Sequence, residues 1–169
     1  MAEYESKLNE QDLRFLDVCL SLAEEALKAG DSPFGSVLVD KEGKILAKAR
    51  NRVNELNALA HPEFELAAWA LDNLGANERQ QATMYTSGEH CPMCAAAHGQ
   101  AGIGTVVYLA SSAQYQEWRS QMGAPELPIN FYPIEKIVKN IRVKGPASGE
   151  WIEKIKKLHL QYFQLQNKK

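Results

Sequence analysis

The sequence predicts an α/β domain, a sheet containing parallel strand pairs with helices packed on its faces. Three observations predict it. Segments of helical and strand periodicity alternate as helix, hairpin, helix, strand, helix, strand. Strands separated by helices favour parallel pairing with helices covering the sheet. The 169 residues suffice for one domain with a core and are too few for two ordinary ones, so residues 1–169 read as a single domain. Apolar residues make up 45% and charged residues 24%, the range of globular chains, with no repeat, linker or low-complexity run.

From Asp12 to Ala29 the apolar positions Leu13, Leu16, Leu20, Ala23 and Leu27 recur at helical period, and Gly30 to Pro33 stops the helix. Ser36 to Val39 and Lys44 to Arg50 flank the turn Asp40-Lys41-Glu42-Gly43 and read as a hairpin. After a polar loop, Asn51 to Ala60, Pro62 is placed to open a second helix with Phe64, Ala67, Ala68 and Leu71 on its apolar face, ending at 73–75. Thr83 to Ser87 reads as a strand, Pro92 to Ala101 as a third helix, and Gly104 to Ala110 as a Val-rich strand buried on both faces. Ser111 to Met122 reads as a short helix and Gly123 to Pro128 as a loop, with a fifth strand within Ile129 to Val143. The last helix carries the stripe Trp151, Ile155, Leu158, Tyr162 and Leu165.

A net charge of −2, with Lys and Arg spread along the chain, disfavours a dedicated nucleic-acid surface. No stretch approaches the roughly twenty apolar residues of a membrane span, and Met1 to Gln11 lacks the apolar run of a secretion signal. Three cysteines, an odd number, fit a reducing cytoplasm, where two spaced cysteines read as metal ligands rather than a disulfide. Cys19, inside the first helical pattern, reads as core.

Two strings carry the chemistry, His61-Pro62-Glu63 and Cys91-Pro92-Met93-Cys94. A catalytic zinc needs three protein ligands and one position open to water. His61, Cys91 and Cys94 supply the three, and Glu63 remains as the acid/base. The order, the spacing and the Pro after the first cysteine match the zinc deaminase signature. Both strings fall at predicted helix starts, where unpaired N–H groups and the helix dipole favour thiolates. Zinc brings the pKa of a water to roughly 7, and Glu63 would then carry its proton to a ring nitrogen and on to departing ammonia. The bland alternative is a closed structural zinc with His90 as fourth ligand, which leaves Glu63 without a role.

On these residues the chain resembles the cytidine-deaminase-like zinc nucleobase deaminases, closest to the guanine deaminase and tRNA adenosine deaminase branch. The resemblance runs from about Leu20 to Leu109 and includes Ser32-Pro33-Phe34-Gly35, Asn51-Arg52, Tyr85-Thr86-Ser87 and the two zinc strings. It implies a three-layer α/β/α fold, a five-stranded mixed sheet with helices on both faces, in agreement with the element order. It also implies that Asn51 contacts the substrate and that the backbone around Cys91 helps to hold the reacting group.

Three features depart from the family pattern: Pro62 where Ala is usual, His90 where Pro is usual, and a shorter loop over residues 52–60 without an Asp-Pro-Thr run. His90 reads as a substrate-contacting donor, a structural residue or a fourth ligand. Phe34 reads as a stacking platform or a core aromatic. Glu117, in a region where relatives place recognition residues, reads as a partner for an amidine edge or as a solvated helix charge. His98 reads as a packed helix residue. Tyr162-Phe163 reads as part of the core stripe or as a lid.

The expectation is a Zn2+-dependent hydrolytic deaminase of a small amino-substituted heterocycle, with guanine first and cytosine, isocytosine, pterin or triazine rings behind it. The alternatives are a tRNA adenosine-34 deaminase and a non-enzymatic zinc-binding interaction module. A homodimer is expected, with the third and last helices offering surfaces.

Overall fold

The computed structural model describes residues 8–169. The residues before Leu8, part of the polar N-terminus read above, lie outside the described residues.

The first helix, α1 (Glu10–Lys28), starts two residues earlier than its apolar pattern suggests because Asn9 and Asp12 form a capping box. The Asp12 N–H donates to Asn9 Oδ1 at 2.8 Å and the Asn9 N–H to Asp12 Oδ2 at 3.1 Å. Strands β1 (Gly35–Val39) and β2 (Ile45–Arg50) form the expected hairpin. Then come α2 (Pro62–Asn73), α3 (Ala76–Gln81), β3 (Thr83–Gly88), α4 (Pro92–Ala101), β4 (Thr105–Ala110), α5 (Ser112–Gln121), β5 (Arg142–Lys144) and α6 (Glu150–Asn167).

The five strands lie in the order β2-β1-β3-β4-β5. β1 is antiparallel to both neighbours, and β3, β4 and β5 run parallel, joined by α4 and α5. Alternate side chains serve the two faces. Val37, Val39, Tyr85, Val107 and Leu109 pack with Leu16, Leu20, Trp118 and Ile155 of α1, α5 and α6. Leu38, Ala49 and Met84 pack on the other face with Leu66, Ala67 and Ala70 of α2. The result is the expected three-layer mixed sheet.

Four expectations need correction. The fifth strand shrinks to three residues, because Pro125, Pro128 and Pro133 punctuate the approach and a 3-10 turn occupies Ile134–Lys136. The short helix α3 was not foreseen, since it buries no residue and so leaves no apolar period to read. The inward face of α2 is Glu63, Leu66, Ala67 and Ala70, whereas Phe64 and Leu71 are 41% and 51% exposed. Turning Glu63 inward rotates the predicted face of α2 out. Likewise α6 buries Ile155, His159 and Phe163, and Leu165 of the predicted stripe is exposed. Among the described residues no helix is long and apolar enough to cross a membrane.

Candidate metal centre and active site

His61 is the N-cap of α2 and Cys91 the N-cap of α4, each followed by Pro at the first helical position. Proline is tolerated there because that N–H has no intrahelical partner, and its fixed φ sets the helix entry. The side chains of His61 and Cys91, and of Cys94 in the first turn of α4, thus converge where two packed helices begin. His61 Nδ1 lies 3.6 Å from Cys91 Sγ and 3.4 Å from Cys94 Sγ. All three ligand atoms fall within 4.8 Å of one another. Tetrahedral zinc, with bonds of about 2.3 Å to sulfur and about 2.05 Å to nitrogen, demands a nitrogen–sulfur separation of about 3.6 Å. The donor set and its spacing therefore fit zinc.

Electrostatics agree with that fit. The Cys94 S–H donated to Cys91 holds Cys91 far below a thiol's usual value, to about 4, against the opposing effect of burial and with help from His61. The same hydrogen bond, with burial and the negative charges nearby, pushes Cys94 up. The pair alone sustains one thiolate, whereas a dication shared by both sulfurs sustains two. For His61, burial pulls the imidazole down, but the contacts with Cys91 and Glu63 outweigh it and the net shift is upward.

Glu63 lies one helical position past Pro62 and is 4% exposed. Its nearest donors are the hydroxyls of Ser36 and Thr86, a directly paired couple on β1 and β3, at 3.3 and 3.4 Å from Oε1. Those hydroxyls have shorter alternatives, since Ser36 donates to Thr86 at 2.8 Å and Thr86 to the Gly88 carbonyl at 3.0 Å. The carboxylate is buried and loosely held. Burial, with the Cys91 charge adding to it, raises its pKa above the ordinary carboxylate value, and His61 and the hydrogen bonds of Cys94 and Ser36 only partly offset that.

The expected substrate residues separate into two groups. Asn51 is buried; its N–H donates to the Phe34 carbonyl at 2.9 Å and its Oδ1 accepts from the Val53 N–H at 3.0 Å. Among the described residues its Nδ2 has no hydrogen bond. Buried Asp31 braces this loop, accepting from Arg50 and from the N–H groups of Asn54 and Glu55. The Phe34 ring meets Tyr115 at 5.3 Å and His159 at 4.9 Å, and a Cβ on Gly88 would lie 2.8 Å from it. Phe34 therefore adjoins both Asn51 and the strand end that leads to Cys91.

The group of ligand atoms that lie close to one another includes neither His90 nor Glu117. His90 is fully buried, with Nε2 3.0 Å from His98 Nδ1, and His98 Nε2 is 3.0 Å from the Ile103 carbonyl. A carbonyl only accepts, so His98 Nε2 carries the proton, its Nδ1 accepts, and His90 donates through Nε2. His90 Nδ1 is then a bare acceptor without a partner. Burial holds His90 well below its usual pKa and His98 at about 4, so both rings are neutral. His90 Nε2 is thus committed to His98, and Nδ1 is the ring atom left without a partner. Glu117 is on the exposed side of α5 and accepts from Gln121 at 3.2 Å, while its neighbour Trp118 is the buried residue. Cys19 is core, as expected.

Several residues around the site were assigned no role from the sequence. Ser36 and Thr86 sit in ordinary strands. Tyr115 and His159 sit at helix positions that look amphipathic, yet their rings lie 5.0 Å apart against Phe34. Arg119 lies over Tyr115 and Phe163, and the Tyr162 hydroxyl meets Asn54 Nδ2 at 3.0 Å, tying α6 to the Asn51 loop. A surface cavity of about 750 Å³ opens between α5 and residues 123–132, but none of the metal-binding side chains lines it.

The comparison with known proteins agrees with this geometry. Residues 9–110 match the family described as the cytidine and deoxycytidylate deaminase zinc-binding region, and the chain belongs to that family. A probable cytosine deaminase of Schizosaccharomyces pombe is 29% identical over 157 residues, covering 86% of this chain and 96% of its own. Guanine deaminase of Bacillus subtilis is 38% identical over 105 residues, 61% of this chain and 67% of its own. A structure solved in a study of tRNA:A34 deaminases superposes with a TM-score of 0.55 at 25% identity, covering 78% of this chain and 96% of that one. The protein is a zinc-binding deaminase of this family.

Proposed function

We propose that the protein hydrolyses the exocyclic amine of a small nucleobase-like heterocycle to a carbonyl, with release of ammonia, and that guanine is its first substrate. One observation carries the reading: a buried carboxylate, Glu63, stands loosely hydrogen-bonded beside a three-ligand set that leaves a fourth position open. A purely structural zinc has no use for such a group. The likeness to guanine deaminase of Bacillus subtilis supports guanine.

His61, Cys91 and Cys94 would hold the zinc, which when bound supplies Lewis acidity enough to ionise a water near neutral pH. Glu63 accepts the water's proton and delivers it to the ring nitrogen; it then takes the proton of the newly added hydroxyl and delivers it to the leaving amine, so that the carbonyl forms as the carbon–nitrogen bond breaks. Its raised pKa suits both halves of that task, since an acid/base works best when its pKa approaches the working pH. Asn51 Nδ2 is the donor offered to the ring edge, and Phe34 with Tyr115 forms the wall against its face. Nothing in the placement of His90 or Glu117 supports a substrate contact. The exposed stripe Phe64, Ala68 and Leu71 on α2 supports a homodimer through that helix.

The test is an ammonia-release screen of the zinc-loaded protein over purine, pyrimidine, pterin and triazine amines. Release from guanine at a rate abolished in Glu63→Ala supports the reading. Release from cytosine alone moves the substrate to the pyrimidines, and no release from any ring refutes small-molecule deamination. Tight, steeply salt-dependent binding of a tRNA anticodon stem-loop would favour the tRNA reading, which the net charge of −2 disfavours.

A further inference from the structure

Glu89 lies just upstream of the zinc cysteines and is not required by the zinc chemistry. It is 8% exposed, and both of its oxygens accept. Oε1 receives the Ser112 N–H at 2.9 Å and the Ser112 hydroxyl at 3.1 Å, and Oε2 receives the Ile134 N–H at 2.8 Å. Ser112 is the first residue of α5, and Ile134 is the first residue of the 3-10 turn that closes the irregular segment after it. On its own backbone, the Glu89 N–H donates to the Ala110 carbonyl at 2.8 Å, which carries the β3–β4 pairing to the end of both strands.

Capping does not explain this carboxylate. Helix α5 already has its cap: Ser111 accepts from the Gln114 N–H at 3.1 Å, and the Gln114 side chain accepts from the Ser111 N–H at 2.8 Å. Burying a further carboxylate against a capped helix carries a desolvation cost that its hydrogen bonds must offset. What it gains is a fixed distance. Cys91 is two residues from Glu89 in one direction. In the other, Ser112 is held by Glu89 and Tyr115 follows one turn later on the same side of α5. The Tyr115 ring meets Phe34, and the Phe34 carbonyl holds the backbone of Asn51.

We propose that Glu89 is a positioning residue that fixes the aromatic wall, Tyr115 against Phe34, relative to the zinc-ligating cysteines, and so sets the size of ring the site accepts. This rests on the deaminase reading for the word "ring" only; the fixed spacing stands independently of it.

The decisive variant is Glu89→Gln. Glutamine keeps the shape but presents one acceptor and one NH2 group, so it must release either Ser112 or Ile134. Three readouts apply. In native-state hydrogen exchange, whichever of the Ser112 and Ile134 amides is released exchanges at least about tenfold faster than in the parent. In cobalt-loaded protein, the paramagnetic shifts of the Tyr115 ring protons change, reporting a moved wall. In zinc-loaded protein, KM for guanine rises about tenfold with kcat changed much less, and the guanine-to-cytosine ranking shifts. A merely structural role would lower the melting temperature and the active fraction while leaving KM and ranking in place.

Glu89→Gln with unchanged Tyr115 shifts in cobalt-loaded protein and with KM values within about twofold of the parent in zinc-loaded protein overturns the proposal. If Glu89→Gln does not fold, Ser112→Ala removes the hydroxyl donor and keeps the N–H. It must then move the Tyr115 shifts and KM in the same direction by a smaller factor, and no movement overturns the proposal equally. A parent protein inactive on every ring would sink the deaminase reading, while exchange and cobalt shifts still decide the role of Glu89.

Discussion

Glu63→Gln in metal-free protein should exchange activity for stability, and the pH dependence of that exchange tests the site directly. Burial raises the Glu63 pKa above its ordinary value of 4.5 in the folded chain. A carboxyl whose pKa is raised on folding is protonated in both states at acid pH and contributes no penalty there. As pH climbs from about 4.5 through the raised folded value, the folded state must ionise a buried group that the unfolded chain ionises in water, and stability falls. Above the raised value the penalty is constant.

The donors available to the charge are two hydroxyls at 3.3 and 3.4 Å that have shorter partners, and the Cys94 thiol, which also serves Cys91. An under-satisfied buried group costs about 1–3 kcal/mol, more when charged. At about 2–4 °C per kcal/mol for a chain of this size, Glu63→Gln should melt roughly 3–10 °C higher than the parent at pH 7–8. At pH 4 the two should coincide. The assay is calorimetric melting of both proteins across that range with a chelator present throughout. In zinc-loaded protein the same substitution should lower kcat by about 10²–10⁴-fold. A variant no more stable than the parent at pH 7–8, or equally advantaged at pH 4, would falsify the claim that Glu63 is a strained buried acid.

Three further outcomes follow from the same structure. Metal analysis should find about one zinc per chain, lost in His61→Ala or Cys94→Ala; at zinc a hundredfold above its dissociation constant the ion stabilises by about 2.7 kcal/mol, so a melting temperature indifferent to chelator would refute the site. In Gly35→Ala the new Cβ would lie 2.4 Å from Leu22 Cβ and 2.5 Å from the Cys19 carbonyl, which should cost about 3 kcal/mol or more in urea denaturation because backbone on α1 cannot yield. Tyr85→Phe removes the hydroxyl bonded to Asp12 at 3.0 Å and should cost about 1 kcal/mol; Asp12→Ala should cost about twice that or more, because it also strands the Asn9 cap and the Lys144 contact.

Much of the site was legible because metal ligation and helix starts both leave residue-type marks. His, Cys, Cys and Glu at the right spacing, each string containing a Pro, encode the candidate ligand set, the buried carboxylate beside it and the local backbone together. The sheet was legible from Val-rich strands and from the turn at Gly43. Where one side chain must satisfy two demands, the pattern misleads. The α2 face was misread because Glu63, a charged residue, is inward, so the apolar residues Phe64 and Leu71 turn out. The α6 stripe was misread by one position because a histidine, His159, occupies the buried row, neutral with its pKa pushed to about 3 by burial and by the nearby Arg119 charge. The aromatic wall was invisible because its members come from the β1 entry, α5 and α6, far apart in sequence.

The four buried acids of the described residues show how the fold divides its work. Asp12 accepts from the Asn9 N–H, the Tyr85 hydroxyl and Lys144. Asp31 accepts from Arg50 and two backbone N–H groups, and Glu89 from Ser112 twice and Ile134 once. Each of these three is surrounded by committed donors and ties together segments distant in sequence: α1 to β3 and β5, α1's end to the Asn51 loop, and the cysteine turn to α5. Glu63 alone has long contacts to hydroxyls with better partners, beside the Cys94 thiol, which is shared with Cys91. Full satisfaction favours an immobile acid, whereas proton transfer needs one whose two protonation states are close in energy. Replacing Thr86 or Ser36 by a donor without a competing partner would therefore stabilise the ionised Glu63 and weaken catalysis. On the proposed function, the looseness around Glu63 is part of the machinery, set among three acids that are firmly held.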